Sequence, residues 1–149
     1  MPTKCSCRPD HAGLARRLGE LGGPAHYHLH AYLQPFGDAL AAADLVVARA
    51  GGSVFEVAAA GLPSILVPYP HATADHQTRN AEHLVAAGAA VSVPDAELDG
   101  ARLEREVELL LGDPARREAM AAGARAFARP DAAETIARGV IEVVEERRR

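Results

Sequence analysis

The 149-residue sequence has no tryptophan, a single lysine (Lys4) and only two cysteines. Aromatic residues make up 4% of it, which excludes the exposed stacking platform that single-stranded nucleic acid binders need. A net charge of −4 excludes a general basic field, so no nucleic acid partner is expected. Cys5 and Cys7 cannot build a disulfide framework, and a zinc site would need two further ligands. Their spacing also differs from the Cys-x-x-Cys of redox centres, so the pair is read as an irregular N-terminus. No apolar run approaches the ~20 residues that cross a bilayer. The residues after Met1 are polar and charged, unlike a signal peptide. These absences point to a soluble, reducing, cytoplasmic setting. What is there, 48% hydrophobic and 24% charged residues, suits one globular domain. The scarcity of lysine beside abundant alanine reads as codon bias.

The pattern predicts alternating strands and helices. Residues 10–21 have helical spacing, with Leu14, Leu18 and Leu21 on one face, and Gly22-Gly23-Pro24 ends the run. Alternation over residues 26–33 predicts a short strand, followed by an Ala-rich helical turn over residues 38–43. Leu45-Val46-Val47-Ala48 is wholly apolar, as in a parallel strand buried on both faces. A helix over residues 54–60 is closed by Gly61, and a second buried strand begins at Ser64-Ile65-Leu66-Val67. Another helix over residues 75–87 ends at Gly88, and Ala90-Val91-Ser92-Val93 forms a further strand. From Asp99 onward three helices follow, one to Leu111, one opening at Pro114 and one from about Ala132 into the Glu145–Arg149 tail. That tail is read as a solvated helix end. The alternation implies an α/β, Rossmann-like parallel sheet of about four strands with flanking helices. Ligands of such sheets bind beyond the carboxyl ends of the strands.

Two segments carry candidate chemistry. Arg49-Ala50-Gly51-Gly52-Ser53 leaves a buried strand and enters a helix. Its glycines admit a ligand to the backbone, and free N–H groups of the new helix would suit a phosphate. The loop is neither a GxGxxG fingerprint nor a P-loop. Ser53-x-x-Glu56 is also a capping box, in which serine and glutamate satisfy the helix start between them. The second segment, residues 67–80, leaves the next strand and presents Asp75, His76, Gln77, Thr78 and Asn80 at a helix start. Those side chains pair well with hydroxyls, although a solvated loop with Asp75 as N-cap accounts for them too. Glycines, a carboxylate and amides at two neighbouring strand ends suit a sugar nucleotide.

The order of these residues resembles a known family. Tyr32-Leu33, Ala43-Asp44-Leu45-Val46-Val47 and Arg49-Ala50-Gly51-Gly52-Ser53 are followed by Glu56-Val57-Ala58-Ala59-Ala60-Gly61-Leu62-Pro63. Then come Val67-Pro68-Tyr69, His71, Asp75-His76-Gln77-Thr78 and Asn80-Ala81. This run resembles the C-terminal, donor-binding domain of glycosyltransferase family 28, as found in bacterial peptidoglycan N-acetylglucosaminyltransferases. The resemblance implies half of a two-domain GT-B fold and inverting transfer from UDP-N-acetylglucosamine to a lipid-linked muramoyl-pentapeptide. It implies no cofactor and no metal, and no Asp-x-Asp occurs here. By the same resemblance Glu56 bonds the ribose hydroxyls, Gly51, Gly52 and Ser53 lie against the diphosphate, and the backbone of Leu33 reads the uracil. His76 and Gln77 match the pair facing the sugar hydroxyls, and Asn80 matches an asparagine one turn on. No catalytic residue is assigned.

Residues 1–23 are expected to form an atypical N-terminal segment with a helix, and residues 24–149 an incomplete donor-binding domain. Thr3-Lys4-Cys5-Ser6-Cys7-Arg8 does not resemble the family's opening strand, so the chain is read as N-terminally truncated. The lipid-linked acceptor would then be bound by a missing N-terminal half or by a partner subunit. A two-chain transferase subunit and a non-catalytic α/β module are the alternatives. The protein is expected in the cytoplasm or at the inner face of the cell membrane. His26-x-His28-x-His30 is read as a solvated strand face rather than a metal comb.

Overall fold

The computed structural model describes residues 3–6 and 11–148. The chain divides into two compact units, Met1–Ala42 and Ala43–Arg149.

In the first unit, β1 (Thr3–Ser6) pairs in parallel with β2 (Tyr27–His30), and α1 (His11–Glu20) connects them. Residues 3–8 do not resemble the family's opening strand in sequence, yet Thr3–Ser6 is a strand. Four residues are too few to show a period in sequence, and the strand exists through its pairing with β2. Cys7 and Arg8 lie outside the described residues, and with them the expectation attached to Cys5-x-Cys7. In β2 the half-buried Tyr27 and Leu29 alternate with the exposed His28 and His30, so the two histidines share the solvated face. After β2 the chain turns into α2 (Phe36–Ala41), which begins just past Pro35 and buries Leu40.

The second unit holds a parallel sheet in the order β3 (Val46–Ala48), β4 (Ser64–Leu66), β5 (Ala90–Ser92). The crossovers are α3 (Val54–Ala59) and α4 (His76–Ala86). Gly61 and Gly88 end these helices in the left-handed region, at φ +68° and +69°, where glycine is free of Cβ strain. Burial on both faces holds for the central strand β4 and not for β3. Ser64, Ile65 and Leu66 are all fully buried, whereas β3 is an edge of this sheet and Val47 is 44% exposed.

Successive residues of a strand point to opposite faces, and β4 builds one core on each. Leu66 joins Val54 and Ala58 of α3, with Ala81 and Leu84 of α4 and Ala124 of α6 (Pro114–Phe127). Ile65 joins Val93, Leu110 of α5 (Gly100–Leu111) and Met120 of α6. Asp99 and Asp113 cap α5 and α6 through their side chains, and Pro114 opens α6. None of the residues of α7 (Ala132–Glu146) is buried. The architecture is the expected α/β, Rossmann-like parallel sheet with helices on both faces.

Candidate functional site

The loop after β3 is the first component. Gly51 and Gly52 have neither a positive φ nor a neighbour that a Cβ would meet within 4 Å. Nothing inside the fold demands glycine there, and the space beside the loop is open. The first-turn N–H groups of α3 are not free as expected. Val54 donates to Gly51 O, Phe55 to Gly52 O and Glu56 to Ser53 O, at 3.2, 3.3 and 3.1 Å. A tight entry turn ties them back one residue early. Uncommitted donors among the described residues therefore lie in the loop itself, on Gly51, Gly52 and Ser53.

The capping box does not form. Ser53 is helical, at φ −63° and ψ −14°, and its side chain makes no cap bond. A capping serine needs extended backbone for its oxygen to reach back over the turn. Both Ser53 and Glu56 are exposed, and among the described residues the Glu56 carboxylate has no hydrogen-bond or ion-pair partner.

The loop after β4 is the second component, and one bond joins it to the first. Asn80 Nδ2 donates to Ala50 O at 2.9 Å, so α4 braces the end of the glycine loop. Asn80, expected against ligand, thus uses its amide donor on the protein. Gln77 Oε1 accepts from the Tyr69 N–H at 2.9 Å, which turns Nε2 outward. His76 Nδ1 lies 2.8 Å from Thr73 O. A carbonyl can only accept, so Nδ1 carries the hydrogen and Nε2 is left for other partners. Asp75 stands at the N-cap position of α4 but makes no cap bond: it sits at φ 53° and accepts from Thr78 Oγ1 at 2.6 Å. Leu33 lies in the first unit, half-buried three residues beyond β2.

These two loops, at adjacent parallel strand ends, follow the order seen in one known family. The sequence profile of the glycosyltransferase family 28 C-terminal domain matches residues 8–136. The chain belongs to this family. Among similar curated proteins is the UDP-N-acetylglucosamine–N-acetylmuramyl-(pentapeptide) pyrophosphoryl-undecaprenol N-acetylglucosamine transferase of Alkalilimnicola ehrlichii. It is 51% identical over 74% of this chain and 32% of its own length. The protein of that name from Salinibacter ruber is 52% identical over 76% of this chain and 31% of its own. The chain thus spans about a third of the curated relatives it matches. Among solved structures, MurG of Acinetobacter baumannii superimposes with a TM-score of 0.76 at 28% identity, covering 98% of this chain and 42% of that one. Spinosyn forosaminyltransferase SpnP, at 19% identity and a TM-score of 0.62, shares the fold over 85% of this chain and 28% of its own.

Within this family 28 domain the structure also marks residues to which the sequence assigned no role. Arg49 reaches both following strand ends: its Nη1 donates to Val67 O and Pro68 O, each at 3.4 Å, and ion-pairs with Asp95. Its guanidinium carbon stands 5.6 Å from the Tyr69 ring centroid, a cation–π distance. Arg49 was visible as part of the motif. Asp95 was not, because nothing local links a residue after β5 to a loop after β3.

Proposed function

We propose that this chain is the UDP-N-acetylglucosamine-binding part of an inverting N-acetylglucosaminyltransferase acting on the lipid-linked peptidoglycan precursor. The observation that carries the reading is the Asn80–Ala50 bond, which sets the glycine loop and the Gln77 loop side by side. The names of relatives about 50% identical supply the donor and the acceptor.

In this reading Glu56 accepts from both ribose hydroxyls with its unpartnered carboxylate. The free N–H groups of Gly51, Gly52 and Ser53 donate to the diphosphate and take up the charge that grows on UDP as the glycosidic bond breaks. Gln77 Nε2 and His76 Nε2 face the sugar hydroxyls, one as donor and the other as acceptor. Asn80 serves the site by bracing the loop. The lipid-linked acceptor is held by an N-terminal half or a partner subunit, at the inner face of the cell membrane. Among the described residues no helix is long and apolar enough to cross a membrane, which suits peripheral attachment.

Calorimetric titration of the chain with UDP-N-acetylglucosamine, UDP and ADP tests the proposal. Binding of both uridine ligands, with none of ADP, is the expected result. No heat with UDP-N-acetylglucosamine at millimolar concentration sinks it.

A further inference from the structure

Arg49 is spread over all three strand ends of the second unit. It follows β3, donates to two carbonyls that follow β4, and pairs with Asp95 beyond β5. Its side chain is 49% exposed and that of Asp95 35%, so the pair is solvent-screened and adds little to folding stability. A four-partner arrangement with little stabilising value is more telling as a means of holding backbone.

The backbone it holds is Val67-Pro68-Tyr69-Pro70. Prolines have no N–H, so Tyr69 supplies the sole main-chain donor of residues 68–70. That donor goes to Gln77 Oε1. An N–H cannot accept, so this bond fixes which way the Gln77 amide faces and leaves Nε2 as its outward group. Arg49 restrains Tyr69 twice, through the preceding carbonyls and through the ring, and the His71 ring packs at nearly right angles to the same ring with centroids 5.5 Å apart.

We infer that Arg49, anchored by Asp95, is a positioning residue that acts through the Tyr69 N–H to aim the Gln77 amide at the sugar of the donor. The inference rests on the donor-site reading above and goes further by separating recognition of the sugar from recognition of the nucleotide. Gln77 meets only the sugar, so losing Arg49 costs affinity for UDP-N-acetylglucosamine and not for UDP.

The test is calorimetry on the full chain with both ligands, for wild type, Arg49→Met, Gln77→Ala and the double variant, with urea unfolding of each. Wild type is expected to bind UDP-N-acetylglucosamine more tightly than UDP. Arg49→Met weakens UDP-N-acetylglucosamine about three- to tenfold, the range for one oriented hydrogen bond, and leaves UDP within about twofold. In the Gln77→Ala background Arg49→Met has no further effect, because the two act in series. If Arg49→Met does not fold, Asp95→Asn, which weakens the anchor, is read by the same ratio and shifts it in the same direction. Equal loss for both ligands overturns the inference, as does full additivity in the double variant. Wild-type affinities that are equal for the two ligands also overturn it, while leaving the UDP site standing. A chain that binds neither ligand overturns the donor-site reading and this inference with it.

Discussion

Removing the Glu56 carboxylate separates the two roles its position allows. As one half of a capping box, Glu56 would serve folding. As a ribose ligand it would serve binding alone. The structure removes the first, because Ser53 makes no cap bond and the Glu56 N–H is already satisfied by Ser53 O at 3.1 Å, and the second remains the proposal to test. Glu56→Ala then trades small terms. Alanine gains a few tenths of a kcal/mol in helix propensity, and loss of an acidic group from the first turn costs about 0.3–1 kcal/mol. The net change in stability is expected within about 0.5 kcal/mol, typical of a surface site. Binding changes far more. A hydrogen bond to a charged group contributes roughly 1.5–3 kcal/mol, so even one ribose bond lost weakens UDP about ten- to a hundredfold. Urea unfolding and calorimetry with UDP read the two effects on one preparation. Unchanged UDP affinity refutes the ribose assignment. A stability loss above about 1 kcal/mol shows that the helix start depended on Glu56 after all.

Asn80→Ala removes the 2.9 Å bond to the buried Ala50, leaving its carbonyl without that donor, and is expected to lower stability by about 1–3 kcal/mol in urea unfolding. Because the bond braces the glycine loop, UDP affinity falls as well; unaltered stability would show that water replaces the amide. Gly123→Ala places a Cβ 2.3 Å from Ala87 O and 3.1 Å from the Gly88 carbonyl carbon, both backbone atoms that cannot swing aside. Thermal melts should report destabilisation of about 1–3 kcal/mol, the usual cost of overpacking, and an unchanged melting temperature would contradict this approach of α6 to the end of α4.

The elements of the second unit were largely legible because their signals are local. Asp99, Asp113 and Pro114 mark helix starts by side-chain chemistry, and Gly61 and Gly88 mark helix ends by backbone freedom. Two features escaped for lack of a local signal. Thr3–Ser6 is a strand by virtue of pairing with residues more than twenty positions away. The apolar run of β3 matches that of β4, yet only β4 is central, and strand order is not written in hydropathy. The Ser53-x-x-Glu56 pattern misled in the opposite direction. It fits a cap in spacing, but the loop enters the helix with Ser53 already in helical geometry.

At the site, the sequence identified polar side chains without saying which end of each is available. Three of them have two functional ends and commit one to the protein: Gln77 its oxygen, His76 its Nδ1 hydrogen and Asn80 one amide hydrogen. What they leave uncommitted is the Gln77 Nε2 group, the His76 Nε2 acceptor, and the Asn80 carbonyl oxygen with its second amide hydrogen. These groups are oriented before any ligand arrives, so their hydrogen bonds cost little side-chain entropy on binding. Glu56 is the contrary case, since neither oxygen has a partner among the described residues. Its carboxylate must be ordered by what it binds, at a cost of about 0.5–1.5 kcal/mol for an immobilised side chain. One hydrogen bond to the carboxylate, at roughly 1.5–3 kcal/mol, little more than offsets that cost, whereas a second bond to the already ordered group adds nearly its full value. A cis-diol supplies both bonds and a lone hydroxyl only the first, so on the donor-site proposal 2′-deoxy-UDP should lose most of the net Glu56 contribution while keeping the rest of the site's contacts.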